Sequence, residues 1–426
     1  MEAGTAPFTS PLAEDLAPDL LDRFQRYVRV DTQAARNRTG SPSTPGQLDL
    51  ARMLVDELHV IGLDDAALDD NGYVMATLPS TVGPDAPVIG LIAHVDTSPD
   101  APGAGVEPIV HRGYDGGVIE LPRGGTVLDP ASVGHLGDKV GHDIVTSSGD
   151  TLLGADDKAG VAEIMAALAY MADRPELARP TLRVCFTPDE EVGAGALLFD
   201  IERFGALGAY TIDGSTVGEL QDETFSAKEA TVTIHGVDVH PGFAFGKLVN
   251  AGRLAARVIA ALPSDTLTPE TTSGREGYIH PYELRATPLK ATFRVLLRDF
   301  DDDKLAEHER LVRRTAEEIV GAEPRARLEI DVEDQYPNMR RYLEPHPEIV
   351  ATAERAIRSE GIEPLPHPAR GGTDGSLLSA RGLPTPNIFA GGHDFHSVRE
   401  WVSLQDMAAA GATIVRLAGE WAGRSH

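Results

Sequence analysis

Five short stretches of the chain carry side chains able to do metal-assisted chemistry. His94-Val-Asp96 closes an apolar run, and Asp156 lies within Gly154-Ala-Asp-Asp-Lys-Ala-Gly160. Glu190 and Glu191 follow the apolar Thr181–Thr187, Asp213-Gly214 follows another such run, and His393-Asp-Phe-His396 a fifth. Taken singly, each has an ordinary explanation. His94 could be a satisfied core histidine, and Asp156 a helix cap. Glu190-Glu191 could be a solvated acidic loop and Asp213-Gly214 a turn, while His396 is one of 14 histidines. All of these explanations would have to hold together at the ends of apolar runs. The joint pattern favours a metal site. So many carboxylates at close range would raise each other's pKa, and a dication removes that conflict. Carboxylate and imidazole donors suit zinc, with manganese or cobalt as substitutes. Two metals roughly 3.5–4 Å apart would share a bridging carboxylate and a bridging water. Spacing alone leaves the roles of Glu190 and Glu191 exchangeable.

Such groups need elements to position them. Leu48, Ala51, Met53, Leu54 and Leu58 lie near one face of a segment that ends at Gly62, which predicts a helix. The run 87–93 reads as a strand buried on both faces. Residues 98–150, rich in Gly, Pro and Asp, read as long surface loops or hairpins. Val161, Ile164, Met165 and Leu168 fall at i, i+3, i+4 and i+7, a helix directly after Asp156. Strands are expected at Thr181–Thr187 and 207–212. Strands alternating with helices of this length predict an α/β layer with a mixed, largely parallel sheet flanked by helices. In open α/β sheets the ligand crevice lies beyond the carboxyl ends of the strands, so the five stretches converge.

The texture changes near residue 225. A strand at 230–236, a helix at 248–262, strands at 277–284 and 288–298, a helix at 302–320 and a strand at 326–333 give the order β-α-β-β-α-β of the ferredoxin-like split unit. This predicts an inserted α+β domain over 225–337. Residues 1–224 and 338–426 then form one discontinuous domain, resumed by a helix at 347–360, turns through 370–375, a strand near 386–390 and a C-terminal helix from about Leu404. No internal repeat or low-complexity tract is visible.

The length of 426 residues suggests two or three domains. The net charge is 38 − 66 = −28, with no basic cluster, which argues against nucleic acid as a partner. Hydrophobic residues at 42% supply enough material for a core. The single cysteine, Cys185, excludes an internal disulfide and a cysteine-based zinc site, and fits a reducing compartment. The first twenty residues lack a basic region followed by an apolar run, so no signal peptide is read there. No run approaches about 18 apolar residues, so no membrane span is expected. A cytoplasmic protein is the expectation.

The motifs, taken in order, resemble the dizinc exopeptidase family that includes carboxypeptidase G and dipeptidase V, and within it the tripeptide aminopeptidases. The matching segments are Ala93-His-Val-Asp-Thr-Ser-Pro-Asp100, Thr151-Leu-Leu-Gly-Ala-Asp-Asp-Lys-Ala-Gly160, Phe186-Thr-Pro-Asp-Glu-Glu-Val-Gly193 and Val239-His-Pro-Gly242. Arg298-Asp-Phe-Asp301, Asp334-Gln-Tyr, Arg370-Gly-Gly-Thr-Asp-Gly375 and Pro386-Asn-Ile-Phe-Ala-Gly-Gly392 continue the series, which spans about residues 18 to 424. The resemblance implies a zinc-exopeptidase-like catalytic domain and makes the inserted domain a lid and dimerisation domain. It implies two zinc ions per subunit: His94 and Asp213 on one, Glu191 and His396 on the other, Asp156 bridging. It implies a cis peptide at Asp156-Asp157, Asp96 orienting His94, and Glu190 as general base. His240, Asn250, Arg298 and Arg370 would contact substrate, His240 from the partner subunit of a dimer, and Arg298 could pair with a peptide carboxylate. The chain departs from this branch at His393, where tyrosine is more usual, so His393 could assist or replace His396.

The expected activity is zinc-dependent release of the N-terminal residue from tripeptides, by a homodimer. The same dizinc centre would equally serve a dipeptidase, a carboxypeptidase or an N-acyl-amino-acid deacylase. A non-catalytic metal- or peptide-binding protein could have dispensed with Glu190, which is present.

Overall fold

The computed structural model describes residues 7–423. The first six residues of the N-terminal stretch discussed above lie outside the described residues. Among the described residues no helix is long and apolar enough to cross a membrane.

Val88–His94 is the strand that the apolar run predicts, and it sits inside an eight-stranded mixed sheet. Thr181–Thr187 and Gly208–Gly214 flank it, both parallel to it, and Asn387–Phe389 runs parallel to Gly208–Gly214. Val74–Leu78 pairs antiparallel beside Thr181–Thr187, and Glu219–Gln221 antiparallel beside Asn387–Phe389. The four central strands therefore present their carboxyl ends at one edge.

Alternation along the strands gives the sheet two buried faces. Ile89, Leu91, Ala93, Val184 and Phe186 face one apolar cluster, while Ile92, Met75 and Cys185 face another with Phe199, Phe204 and Leu378. The first cluster is closed by the helix Ala155–Ala172, apolar almost all round, and by Pro11–Tyr27 and Leu404–Ala422 packed on it. A helix with no polar face belongs inside a protein. Burying one Leu, Ile, Val or Phe fully is worth about 1.5–3 kcal/mol, so these layers hold the strand ends rigidly. Gly160 permits the closest approach: a Cβ there would run into the Ile212 carbonyl oxygen.

The stretch 98–150 is more ordered than surface loops. Ile109–His111 and Ile144–Thr146 join Trp401–Ser403 and Gly392–His393 in an antiparallel four-stranded sheet. Tyr114, Ile119, Leu128, Leu136, Ile144 and Trp401 form a separate buried cluster over it. Strands of two or three residues are too short for alternation to reveal.

The described chain divides into two compact units. The first takes residues up to Asp222, Tyr342–His367, and those from Thr373 on; the second is Glu223–Arg341 with Pro368–Gly372. Pro368–Gly372 and residues 338–341, which the sequence reading gives to the first domain, thus group with the second unit. The cause is local pairing: Ala369 exchanges backbone hydrogen bonds with Glu223 and Phe225. The second unit runs Ser226–His235, helix Ala251–Ala261, Tyr278–Ala286, Lys290–Asp299, helix Asp302–Gly321 and Arg327–Tyr336. Its antiparallel sheet puts Lys290–Asp299 between Tyr278–Ala286 and Ser226–His235, with Arg327–Tyr336 at the far edge. Both helices pack on one face around Phe293, Val295, Val258 and Val312.

Candidate metal centre

The strand ends of the first unit bring their ionisable side chains together. His94 Nε2 lies 2.9 Å from Asp156 Oδ1 and 3.7 Å from Asp213 Oδ1. His396 Nε2 lies 2.9 Å from Glu191 Oε2 and 3.2 Å from Asp156 Oδ2. Two donor groups result, His94/Asp156/Asp213 and Asp156/Glu191/His396, each with its donor atoms within 4.8 Å of one another. Asp156 belongs to both, offering one oxygen to each.

A dense shell of hydrogen bonds aims these donors. The Asp96 carboxylate is fully buried and accepts the backbone N–H of Glu190 at Oδ1 (3.0 Å) and of Glu191 at Oδ2 (3.1 Å). The same Oδ1 lies 3.4 Å from His94 Nδ1, whose nearest partner is the Asp96 carbonyl at 3.1 Å. Asp96 therefore orients His94 and also fixes the Glu190-Glu191 backbone. The Asp156-Asp157 peptide is cis, as the resemblance implies. Asp157 turns inward and accepts the His94 N–H (3.2 Å). Buried Glu400 accepts three N–H groups, from Leu153 and Gly154 (both 2.8 Å) and Asp156 (3.0 Å). Three of the five non-glycine residues with positive φ among the described residues are Asp189, Asp394 and His396. Such residues are uncommon and gather at functional sites.

The electrostatics show what the arrangement lacks. Burial and the charge of Asp156 push Glu191 up to about 8 and Asp213 up to about 6. Burial also drives Glu190 well above the usual carboxylate range. Burial works the same way on Asp156, but the His396 and His94 rings reverse it and hold this carboxyl below its ordinary value. Burial disfavours the charge on His396, yet Asp156 and Glu191 raise its pKa to about 11. Glu191 Oε1 is buried with no hydrogen-bond partner among the described residues. A crowd of carboxylates with an orphaned oxygen is the signature of a cluster completed by cations.

The remaining predicted residues are not among these donors. His393 points away from the cluster: its buried ring stacks on Trp401 (4.4 Å) and His135 (5.2 Å), with Nδ1 3.2 Å from Ser215 Oγ. His240, Asn250, Arg298 and Arg370 all belong to the second unit. His240 is exposed at the head of a short 3-10 turn. Asn250 caps Ala251–Ala261 by accepting the Arg253 N–H (3.0 Å). Arg298 donates to the Lys228 and Leu297 carbonyls and to Gln335 Oε1. Arg370 donates to the Gly274 and Glu276 carbonyls and to Thr272.

Three residues near the cluster escaped the sequence reading. Glu400 stands outside every quoted motif. Asp374, within Gly-Gly-Thr-Asp-Gly, accepts the Thr187 hydroxyl (2.8 Å) and is raised to about 7 by burial. Asp189, next to Glu190, is buried, and its carboxylate is taken up by neighbouring donors. Asp374 and Asp189 lay inside recognisable segments, so their position was the available signal.

A parallel-centred sheet carrying two acidic donor groups that share one aspartate is the architecture of a metallohydrolase. The chain belongs to peptidase family M20/M25/M40, whose family model matches residues 152–420, and it is a peptide hydrolase of that metallopeptidase family. It is 46% identical over 404 residues to the peptidase T of Bacillus subtilis, covering 95% of this chain and 98% of that one. It is 45% identical over 399 residues to the peptidase T of Vibrio parahaemolyticus, covering 94% and 97%. Among solved structures, a tripeptidase from Staphylococcus aureus superposes with a TM-score of 0.75 at 20% identity, covering 96% of this chain and 99% of that one. An aminopeptidase from Bacillus cereus gives 0.72 at 22% identity, covering 95% and 99%. At such identities the structural likeness speaks for the fold.

Proposed function

We propose that the protein is a zinc-dependent aminopeptidase that releases the N-terminal residue from tripeptides. The observation that carries this reading is the pair of donor groups sharing Asp156, with Glu190 beside them on a backbone pinned by Asp96. His94, Asp156 and Asp213 would hold one zinc ion, and Asp156, Glu191 and His396 the other. The fit is good. Donors 2.0–2.2 Å from a tetrahedral zinc stand about 3.4 Å apart; the histidine–carboxylate separations here are 2.9 to 3.7 Å, and all donor atoms of each group lie within 4.8 Å of one another. When bound, the two ions polarise the scissile carbonyl and lower the pKa of a water.

Glu190 supplies the proton traffic. Its carboxylate takes a proton from the attacking water and returns it to the leaving amine. Its backbone N–H is fixed on Asp96, and among the described residues no hydrogen bond ties its side chain elsewhere. The second unit would act as lid and dimerisation domain, with His240, Asn250, Arg298 and Arg370 contacting substrate. Arg298 uses three of its five N–H groups internally, which leaves two for a peptide carboxylate. A homodimer in the cytoplasm fits the resemblance and the single cysteine.

The test is hydrolysis of an unblocked tripeptide by metal-stripped protein with zinc returned. The expected products are the first residue and a dipeptide, from the wild type and not from Glu190→Gln. No cleavage by zinc-loaded wild type across a panel of tripeptides would sink the proposal, and equal cleavage of N-terminally blocked peptides would sink the aminopeptidase assignment.

A further inference from the structure

The turn that carries Glu190 is held from behind by an amide side chain. Asp189 is left-handed (φ 59°) and fully buried. Its N–H donates to Gln47 Oε1 (3.1 Å), and Gln47 Nε2 donates back to Asp189 Oδ1 (2.8 Å). One side-chain amide thus closes a two-bond clasp on one residue 142 positions away. The Ser43 N–H adds bonds to both oxygens of the same carboxylate, at 2.7 and 3.0 Å. The next two N–H groups, of Glu190 and Glu191, end on Asp96. Three successive backbone N–H groups therefore terminate on side-chain oxygens, one from Gln47 and two from Asp96.

Gln47 is 1% exposed, at the start of the helix Gly46–Ile61, whose other buried residues are Leu50, Ala51, Leu54 and Leu58. An apolar residue would continue that face. A buried amide is costly unless its donors and acceptor are matched; here the acceptor and the shortest donor bond go to the residue before Glu190, and the same nitrogen reaches Ser43 Oγ and Thr44 Oγ1, both at 3.3 Å. An uncommon backbone conformation at Asp189 needs such support to persist.

We propose that Gln47 is a positioning residue for proton transfer: through Asp189 it sets the direction in which Glu190 leaves the turn. This inference rests on the role of Glu190 proposed above. A carboxylate that must reach both the attacking water and the leaving amine tolerates little displacement; a misplacement of about 1 Å costs on the order of 100-fold. The hydrogen bonds of the Gln47 side chain run to Ser43, Thr44 and Asp189 and, among the described residues, to no metal-donor side chain, so its loss should act on turnover and leave ion binding and substrate affinity alone.

The experiment compares wild type, Glu190→Gln, Gln47→Met and Gln47→Glu, each loaded with zinc, on an unblocked tripeptide. The readouts are kcat, KM, bound zinc per chain and the thermal midpoint. Gln47→Met should lower kcat at least tenfold, with KM within twofold and zinc content unchanged. Gln47→Glu keeps the acceptor for the Asp189 N–H but sets one carboxylate against another. Its kcat should also fall at least tenfold, with KM within twofold and zinc content unchanged. A folded, zinc-loaded Gln47→Met with kcat within twofold of wild type would overturn the proposal. So would a loss of activity that merely tracks a loss of zinc. If Gln47→Met does not fold, a folded, zinc-loaded Gln47→Glu with kcat within twofold of wild type overturns it. Inactive wild type, or fully active Glu190→Gln, would instead defeat the functional reading and this inference with it.

Discussion

The two units treat their buried polar groups in opposite ways. In the first, the strand ends crowd Glu190, Glu191, Asp156 and Asp213 together, with the carboxyl groups of Glu190, Glu191 and Asp213 pushed upward and Glu191 Oε1 left without a hydrogen-bond partner among the described residues. In the second, several of the buried polar groups find their partners within the unit. Asp299 accepts the Asp301 N–H at Oδ1 and meets His308 Nε2 at Oδ2, both at 3.0 Å. Asn250 is spent on a helix cap and Arg298 on two carbonyls and a glutamine. Unsatisfied charge marks where a protein is built for chemistry at the expense of stability; satisfied charge marks where it is built to stay folded.

That contrast can be broken by substitution. Glu190→Gln should show the largest effect, a fall in kcat of about 10²–10⁴-fold, with zinc content and thermal midpoint near wild type; a fall of less than tenfold in steady-state kinetics would remove Glu190 from the chemistry. Phe293→Ala, in the fully buried core of the second unit, should do the reverse. It should cost about 3–5 kcal/mol of stability in urea unfolding, while bound zinc stays stoichiometric wherever the protein is folded. Asp96→Asn comes next, weakening zinc by about 10–100-fold in chelator competition. An amide there places an NH2 group against a backbone N–H of Glu190 or Glu191; unchanged affinity would show that the two N–H contacts do not matter.

The smallest effect is a dependence on pH. Burial pushes Asp299 upward, but the His308 ring and the Asp301 N–H outweigh it and hold the carboxyl below its usual value. A depressed folded pKa contributes stability that is present above the unfolded value, about 3.9, and is lost as pH falls through the folded value. Asp299→Asn should therefore lower the thermal midpoint at pH 7 and flatten its decline below pH 4. An equal decline in both proteins would assign the acid sensitivity elsewhere.

Strand ends were legible because an apolar run closed by an ionisable residue is visible in one dimension. His94, Glu191 and Asp213 stand at or just after such runs and lie together with Asp156 and His396 in the structure, while the choice of Glu191 over Glu190 as a donor comes from the family resemblance. The second unit was legible because its strands and helices are long enough for periodicity to register. The supports were not. Glu400 reaches the Asp156 N–H across 244 residues, and Gln47 reaches Asp189 across 142. Nothing in a helical pattern distinguishes a glutamine that clasps a remote turn from one that faces water. His393 and His396 are three residues apart, and only the left-handed backbone at Asp394 and His396 sends one ring to the cluster and the other under Trp401. The antiparallel sheet built from 109–111 and 144–146 was hidden for a different reason, since each strand is too brief to show a period.

Asp156 gives one oxygen to each donor group, and the other donors come from opposite stretches of the chain. His94, Asp156 and Asp213 all precede the second unit, whereas the other group waits for His396, beyond it. During synthesis the chain is made from its amino end, so one group has all its residues long before the other. A half-made chain can own one complete set of donors and never two. If cleavage needs both, a growing chain is harmless to the peptides around it until His396 has been translated.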